Sequence, residues 1–204
     1  MDMVSMIHMA SDAPLKPMLG LMGVHAQRET LRDDDTIRIH PIITKGGDLV
    51  NIVPADVRLE AYVRGKRVEA IVDASKKVDR ALKAGAIAVG AEVEITNLPG
   101  YLPKISDAAF DEAYYANCEW LVGVQSSGRQ GHGTASNDIG DLSHLMPTSC
   151  ALMGGVVGQG HSKHVRIVDP EIFYLASAKL HACTAIDLLW DQADLAAWEG
   201  LLKA

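Results

Sequence analysis

Five of the eight histidines, His132, His144, His161, His164 and His181, fall after residue 130. Four of them lie in or beside a stretch rich in Gly, Ser, His and Asp that runs from 125 to 164, in company with Asp138, Asp141 and Asp169. Neutral imidazole with carboxylate is the ligand set that zinc, manganese and nickel favour. No HExxH or HxH pair places two ligands on one element. Taken singly, each histidine therefore reads as a surface or cap residue on a loop. A small metal- or ligand-binding protein would need two or more of His132, His144, His161 and His164 to converge, which spacing alone does not establish.

Two short segments are more organised. In Asp138–Ile139–Gly140–Asp141–Leu142–Ser143–His144, Asp138 precedes a helical turn and reads as its N-cap, while Asp141 could orient a histidine, a structural role for Asp141 and His144 being equally open. In the second, Gly154, Gly155, Gly158 and Gly160 bring His161 out of a permissive backbone where a metal or ligand can approach closely. The segment lacks the GK[ST] ending of a phosphate-binding loop. No Gly-x-Ser-x-Gly elbow surrounds Ser126, Ser127, Ser136 or Ser143, so serine-hydrolase chemistry has no basis.

The elements that must position these residues follow from periodicity. Met3–Met9 is a short apolar strand. Leu19, Met22, Ala26 and Leu31 recur at helical spacing from 18 to 31, with Gly20 and Gly23 allowing close packing against a sheet. Asp33–Asp35 reads as a solvated turn. Ile37, Ile39, Ile42 and Ile43 form a strand closed by Lys45–Gly46–Gly47–Asp48, and Val57, Leu59, Ala61 and Val63 alternate with polar residues as a second. Pro54 keeps the Val50–Val53 run out of a central strand. Val68, Ile71, Val72, Val78, Ala81, Leu82 and Ala86 make one face of the clearest helix, with Gly90 as its stop. Glu92–Thr96 is a further strand. The order strand, helix, strand, strand, helix, strand is that of a split βαβ, ferredoxin-like domain over 1–100. Beyond it, 107–122 is helical with Ser106 as N-cap, 170–189 is a strong helix, and 192–202 is a short amphipathic one.

The 204 residues carry 48% hydrophobic and 22% charged side chains, enough for one ordinary domain or two small ones. With a net charge of −7 and no Lys/Arg-rich block, a nucleic-acid partner is disfavoured. Three widely spaced cysteines, Cys118, Cys150 and Cys183, suit a reducing compartment. No apolar run of spanning length and no basic leader stand out, so the expectation is cytoplasmic with no membrane partner.

The string Thr134–Ala135–Ser136–Asn137–Asp138–Ile139–Gly140–Asp141–Leu142–Ser143–His144–Leu145–Met146–Pro147–Thr148 resembles a segment of the zinc amidohydrolases and metallopeptidases of the aminoacylase and carboxypeptidase-G type, in the p-aminobenzoyl-glutamate hydrolase branch. Gly160–His161–Ser162 and Thr184–Ala185–Ile186–Asp187–Leu188–Leu189 match that branch in order. So do His8–Met9–Ala10 and Asn51–Ile52–Val53–Pro54 in the first half.

The resemblance implies an α+β lid, or dimerisation, domain over 1–100, ferredoxin-like in order, followed over 101–204 by the C-terminal part of an α/β zinc-peptidase catalytic domain. It implies His161 as a metal ligand, His8 as the lid histidine that polarises the scissile carbonyl, and Asn51 as a substrate-binding residue. Asp138, Asp141 and His144 take support roles. The remaining ligands and the glutamate base of the family have no counterpart in the sequence, and a catalytic metal needs about three protein ligands. The expectation is thus a partial, N-terminally truncated amidohydrolase acting on N-acyl amino acids when complete. By itself it is expected to be inactive, with zinc or manganese absent or weakly bound. Its expected partners are a second copy through the lid and a complementing N-terminal catalytic half. The alternative, from a different class, is a non-catalytic dimerisation or interaction module.

Overall fold

The computed structural model describes residues 16–123, 133, 135–150 and 153–190, and the backbone of 3–10. The helix expected over 192–202 lies outside the described residues. The chain divides into two units, one of residues 1–104 with 134–141, the other of 105–133 with 142–204.

The first unit runs β1 (Met3–Ala10), α1 (Lys16–Gln27), β2 (Arg38–Lys45), β3 (Asp56–Arg64), α2 (Val68–Ala88) and β4 (Glu92–Pro99). The strands form one antiparallel sheet in the order β2-β3-β1-β4. Strand β3 sets its polarity. Val57, Leu59, Ala61 and Val63 are buried while Arg58, Glu60 and Tyr62 are exposed, so one face makes the core and the other meets solvent. The core joins these residues to Ile71, Ala74, Val78 and Leu82 of α2 and to Val24 of α1. Helix α2 ends at Gly90, whose φ of 65° lets Gly90 N–H donate to Ile87 O and Ala91 N–H to Ala86 O. Pro41 sits on β2, an edge strand that tolerates its missing donor.

Two details of this unit differ from the sequence reading. Helix α1 buries Pro17, Gly20 and Val24, whereas Leu19, Met22 and Ala26 are exposed. The reason is that Gly20 and Gly23 pack on helix α2 and not on the sheet. A Cβ at Gly85 would overlap the backbone of Gly20, and one at Gly23 would lie 3.2 Å from Ala81 Cβ. The rotation of α1 is therefore set by its glycines, and the apolar spacing follows a side that does not pack. The run Asp33–Asp35 is a 3-10 turn, but Asp35 is buried. Its Oδ1 accepts from Arg67 Nε at 2.9 Å and Nη2 at 2.6 Å, and its carbonyl accepts from Lys66 N–H. This pair ties the turn before β2 to the start of α2.

In the second unit, α3 (Ala108–Val122) is capped by Asp107, whose carboxylate accepts from Phe110 N–H, and not by Ser106. Helix α4 (Ile139–Leu142) is one turn where the chain passes between units. A two-residue hairpin, β5 (Val156–Val157) and β6 (Arg166–Ile167), leads through a π-helical turn, Glu171–Ala176, into α5 (Ser177–Trp190). Tyr114 and Cys118 of α3 and Leu180 of α5 form a small core. The continuous helix Glu171–Trp190 is, by length and composition, apolar enough to cross a membrane, which run length in the sequence does not suggest. Its polar groups are used locally: Thr184 donates to Leu180 O, and Asp187 accepts from Asn117 Nδ2 at 2.6 Å, tying α5 to α3.

Two outcomes follow. Gly85→Ala is expected to cost about 1–3 kcal/mol by forcing α1 and α2 apart, whereas Gly160→Ala, with open space around it, stays near neutral; thermal unfolding of both variants checks this. Cys118 is 2% exposed and burial pushes its thiol pKa up, so a thiol reagent at neutral pH modifies half-buried Cys150 and Cys183 well before Cys118.

Candidate functional site

His8 stands in β1 opposite Arg58 of β3 and Glu94 of β4. Asn51 is exposed at the tip of the loop 46–54, which enters β3 at the end of the sheet where His8 pairs. The base of that loop is closed by charge. Asp56, the first residue of β3, accepts from Lys45 Nζ at 3.2 Å and pairs with Arg58 Nη2 at 3.0 Å. The hydrogen bond from Arg58 holds the Asp56 carboxyl below its ordinary pKa; desolvation opposes it, and the hydrogen bond from Lys45 adds to the lowering. Sequence reasoning missed this cluster, although a lysine before a Gly-Gly turn and Asp-x-Arg after it are its signal. Further along the same exposed face, the Arg64 guanidinium lies 5.0 Å from the centroid of Tyr62.

Asp141 holds backbone. Its Oδ1 accepts from Leu102 N–H at 2.7 Å, and its own N–H donates to Asp138 O. Gly140 is required there because a Cβ would overlap the carbonyl of Leu102. Asp138 is exposed in the turn that opens α4. In the second unit Ser143 Oγ accepts from Ile105 N–H at 3.0 Å, and exposed His144 lines a small hollow with Ile105–Asp107 and Leu145–Thr148.

His161 is exposed in the loop between β5 and β6 with φ of 61°, the left-handed region that a side chain seldom adopts. The loop is tight: Gly158, at φ 102°, packs against the carbonyl of His164, and Ser162 Oγ accepts from His164 N–H. A histidine kept in this conformation, where glycine is easier, marks a position of functional interest. His181 is occupied structurally, with Nδ1 on the carbonyl of Ser177 and its ring against the edge of Tyr114. His132 lies outside the described residues. Among the described residues no three His, Cys, Asp or Glu side chains converge as a metal would require. The donors described therefore do not fit a complete metal centre.

The Lys45–Asp56–Arg58 cluster has a pH signature. Because the folded-state pKa of Asp56 is depressed, its contribution is present above the unfolded value and is lost as pH falls below about 4 through the folded value. Amide exchange in the loop 46–54 is expected to accelerate in that window and with added salt, and Asp56→Asn to abolish both dependences. Asp141→Ala is expected to cost about 0.5–1.5 kcal/mol, the net worth of an exposed hydrogen bond whose Leu102 donor turns to water. His161→Val should be less stable than His161→Gly by about 1–2 kcal/mol, the conformational strain at that position. Denaturant unfolding measures both differences.

No family model matches the chain. The mouse Xaa-Arg dipeptidase is 26% identical over 178 residues, which is 82% of this chain and 40% of that protein. The chain thus spans about two fifths of the length of the curated relatives it matches. Among solved structures, a dinuclear metal-binding peptidase of the M20 family from Bacillus subtilis superposes with a TM-score of 0.67 at 18% identity, over 92% of this chain and 49% of that one. The aminobenzoyl-glutamate utilization protein from Klebsiella pneumoniae gives 0.51 at 14% identity, over 61% of this chain and 34% of that one. The resemblance carried by Thr134–Thr148, Gly160–Ser162 and Thr184–Leu189 is borne out as a similarity: the chain is similar in sequence to Xaa-Arg dipeptidases and in fold to an M20-family peptidase and to amidohydrolases.

Proposed function

We propose that this chain is the lid and the distal catalytic portion of a metal-dependent amidohydrolase that cleaves the amide bond of a small N-acyl amino acid, such as an aminobenzoyl-glutamate-like compound. The observation that carries this is the superposition of 92% of the chain on one half of a dinuclear metal-binding peptidase, joined to separated motifs in the same order. The sheet order β2-β3-β1-β4, with α1 and α2 against one face, supports reading the first unit as a ferredoxin-like lid. His8 is the group that polarises the carbonyl and stabilises its developing oxyanion, and Asn51 orients the substrate from the loop tip. His161 is the ligand to zinc or manganese, and the metal, when bound in the complete enzyme, supplies Lewis-acid activation. Asp138, Asp141 and His144 support the neighbouring backbone. Further ligands and a carboxylate base are supplied from outside the described residues, and the enzyme is cytoplasmic.

A second reading, a non-catalytic dimerisation module, is favoured by β2. It is an edge strand with Ile42 and Ile43 exposed, beside a loop that exposes Leu49, Val50, Ile52 and Val53. A homodimer through this edge is compatible with both readings.

Elemental analysis and hydrolysis of N-acyl amino acids by the untagged chain test the proposal. The expected result is well under one zinc or manganese per chain and no turnover, with activity appearing when a polypeptide supplying the other catalytic half is added and vanishing in His161→Ala. Turnover by the chain alone, lost in His161→Ala, would show the site complete without a second half. A stable metal-free dimer that no such polypeptide activates would favour the module.

A further inference from the structure

Strand β4 is the outer strand of the sheet at the end opposite β2, and among the described residues no strand pairs its free side. Val93 and Ile95 pack on the core, which turns Glu92, Glu94 and Thr96 to the open face. Asn97 lies on the helix side, where its Nδ2 donates to Asp79 Oδ2 of α2 at 2.8 Å. The edge strand is thereby tied directly to one face of α2. On that face Asp79 lines a shallow hollow of about 390 Å³ with Lys76, Arg80, Lys83, Ala84 and Ile87. Lys77 is held by Asp73 at 2.9 Å, whereas among the described residues the side chains of Lys76, Arg80 and Lys83 enter no ion pair. The hollow beside the edge is therefore cationic, and its single carboxylate is engaged by Asn97.

We infer that β4 and this face of α2 dock an extended acidic peptide of a partner protein, which adds a strand to the sheet edge and lays alternate side chains against Lys76, Arg80 and Lys83. Backbone hydrogen bonds along an open edge provide affinity, and side chains at every second position provide selectivity. Residues i and i+2 of a strand stand about 6.5 Å apart, close to the rise of about 6 Å between Lys76 and Arg80 on the helix. The other set of peptide side chains falls beside Glu92, Glu94 and Thr96, where acidic residues are repelled. The favoured sequence thus alternates acidic residues with neutral or basic ones. A second copy of the chain does not fit this edge. Pairing β4 with itself about a two-fold axis sets the cations of α2 beside their own equivalents. The site lies within the first unit and stands independently of the hydrolase reading.

The test is fluorescence anisotropy of labelled octapeptides titrated with the full chain. One peptide alternates glutamate with threonine, one has the same composition in two blocks, and one alternates lysine with threonine. The alternating glutamate peptide is expected to bind saturably, roughly tenfold or more tightly than the other two, and more weakly as salt rises. The double variant Arg80→Glu, Lys83→Glu should transfer the preference to the lysine peptide. Both positions are exposed, and circular dichroism confirms that the helices persist. N-methylation of every second backbone nitrogen of the peptide should abolish binding in one phase and spare it in the other, the signature of strand addition. Failure of the alternating glutamate peptide to bind, or equal binding of the block peptide, would overturn the site. So would a preference unchanged in the double variant, or the same response to both phases of N-methylation.

Discussion

The first unit depends on one contact, the approach of α1 and α2 at Gly20 and Gly85. With no Cβ on either residue, the two helix backbones come close enough for Ala81 and Leu82 to pack beneath Gly20 and Gly23. Both helices then cover one face of the sheet, where Val57, Leu59, Ala61 and Val63 supply the core. Because that face is filled, the row Arg58, Glu60 and Tyr62 is left open to solvent. Arg58 sits on the open side of this division, and Lys45 and Asp56 stand at the ends of their strands. The pair of buried Asp35 with exposed Arg67 has a related role, since it joins the turn entering β2 to the start of α2 and so holds the helix against the strand that follows α1.

The functional candidates are presented by loops whose ends are tied. Asn51 stands on a loop closed at its base by Lys45, Asp56 and Arg58. His161 stands in a hairpin loop tightened by Gly158. The Asp138–His144 motif is pinned by Asp141 on Leu102 and by Ser143 on Ile105. In each case a short-range bond restrains backbone that would otherwise sample many conformations. The second unit has a much thinner core, with Trp120, Ile186, Leu189 and Trp190 exposed. Apolar surface of that kind suits the proposed reading of this unit as part of a larger catalytic domain.

The succession of strands and helices was legible because each element carries its own period. The alternation in β3, the long apolar face of α2 and its glycine stop all appear in the structure where the residues place them. The motif residues were legible by type and order. Their roles were less so. Asp141 reads equally well as an orienting carboxylate or as a structural residue, and only its distance to Leu102 shows it holding backbone. The cap of α3 shifts from Ser106 to Asp107 for a similar reason: both residues have suitable side chains, and only the geometry at Phe110 distinguishes them.

Local composition and spacing therefore determined the elements, and the order of the motifs carried the resemblance to amidohydrolases. The tertiary structure alone decided the rotation of α1, the burial of Asp35 and the ionic closure of the loop around Asn51. Periodicity counts side chains along one segment. Which side of a helix packs depends on how near a second backbone can come, and whether a charge is buried depends on a partner such as Arg67, 32 residues away. Neither quantity is a property of the segment itself.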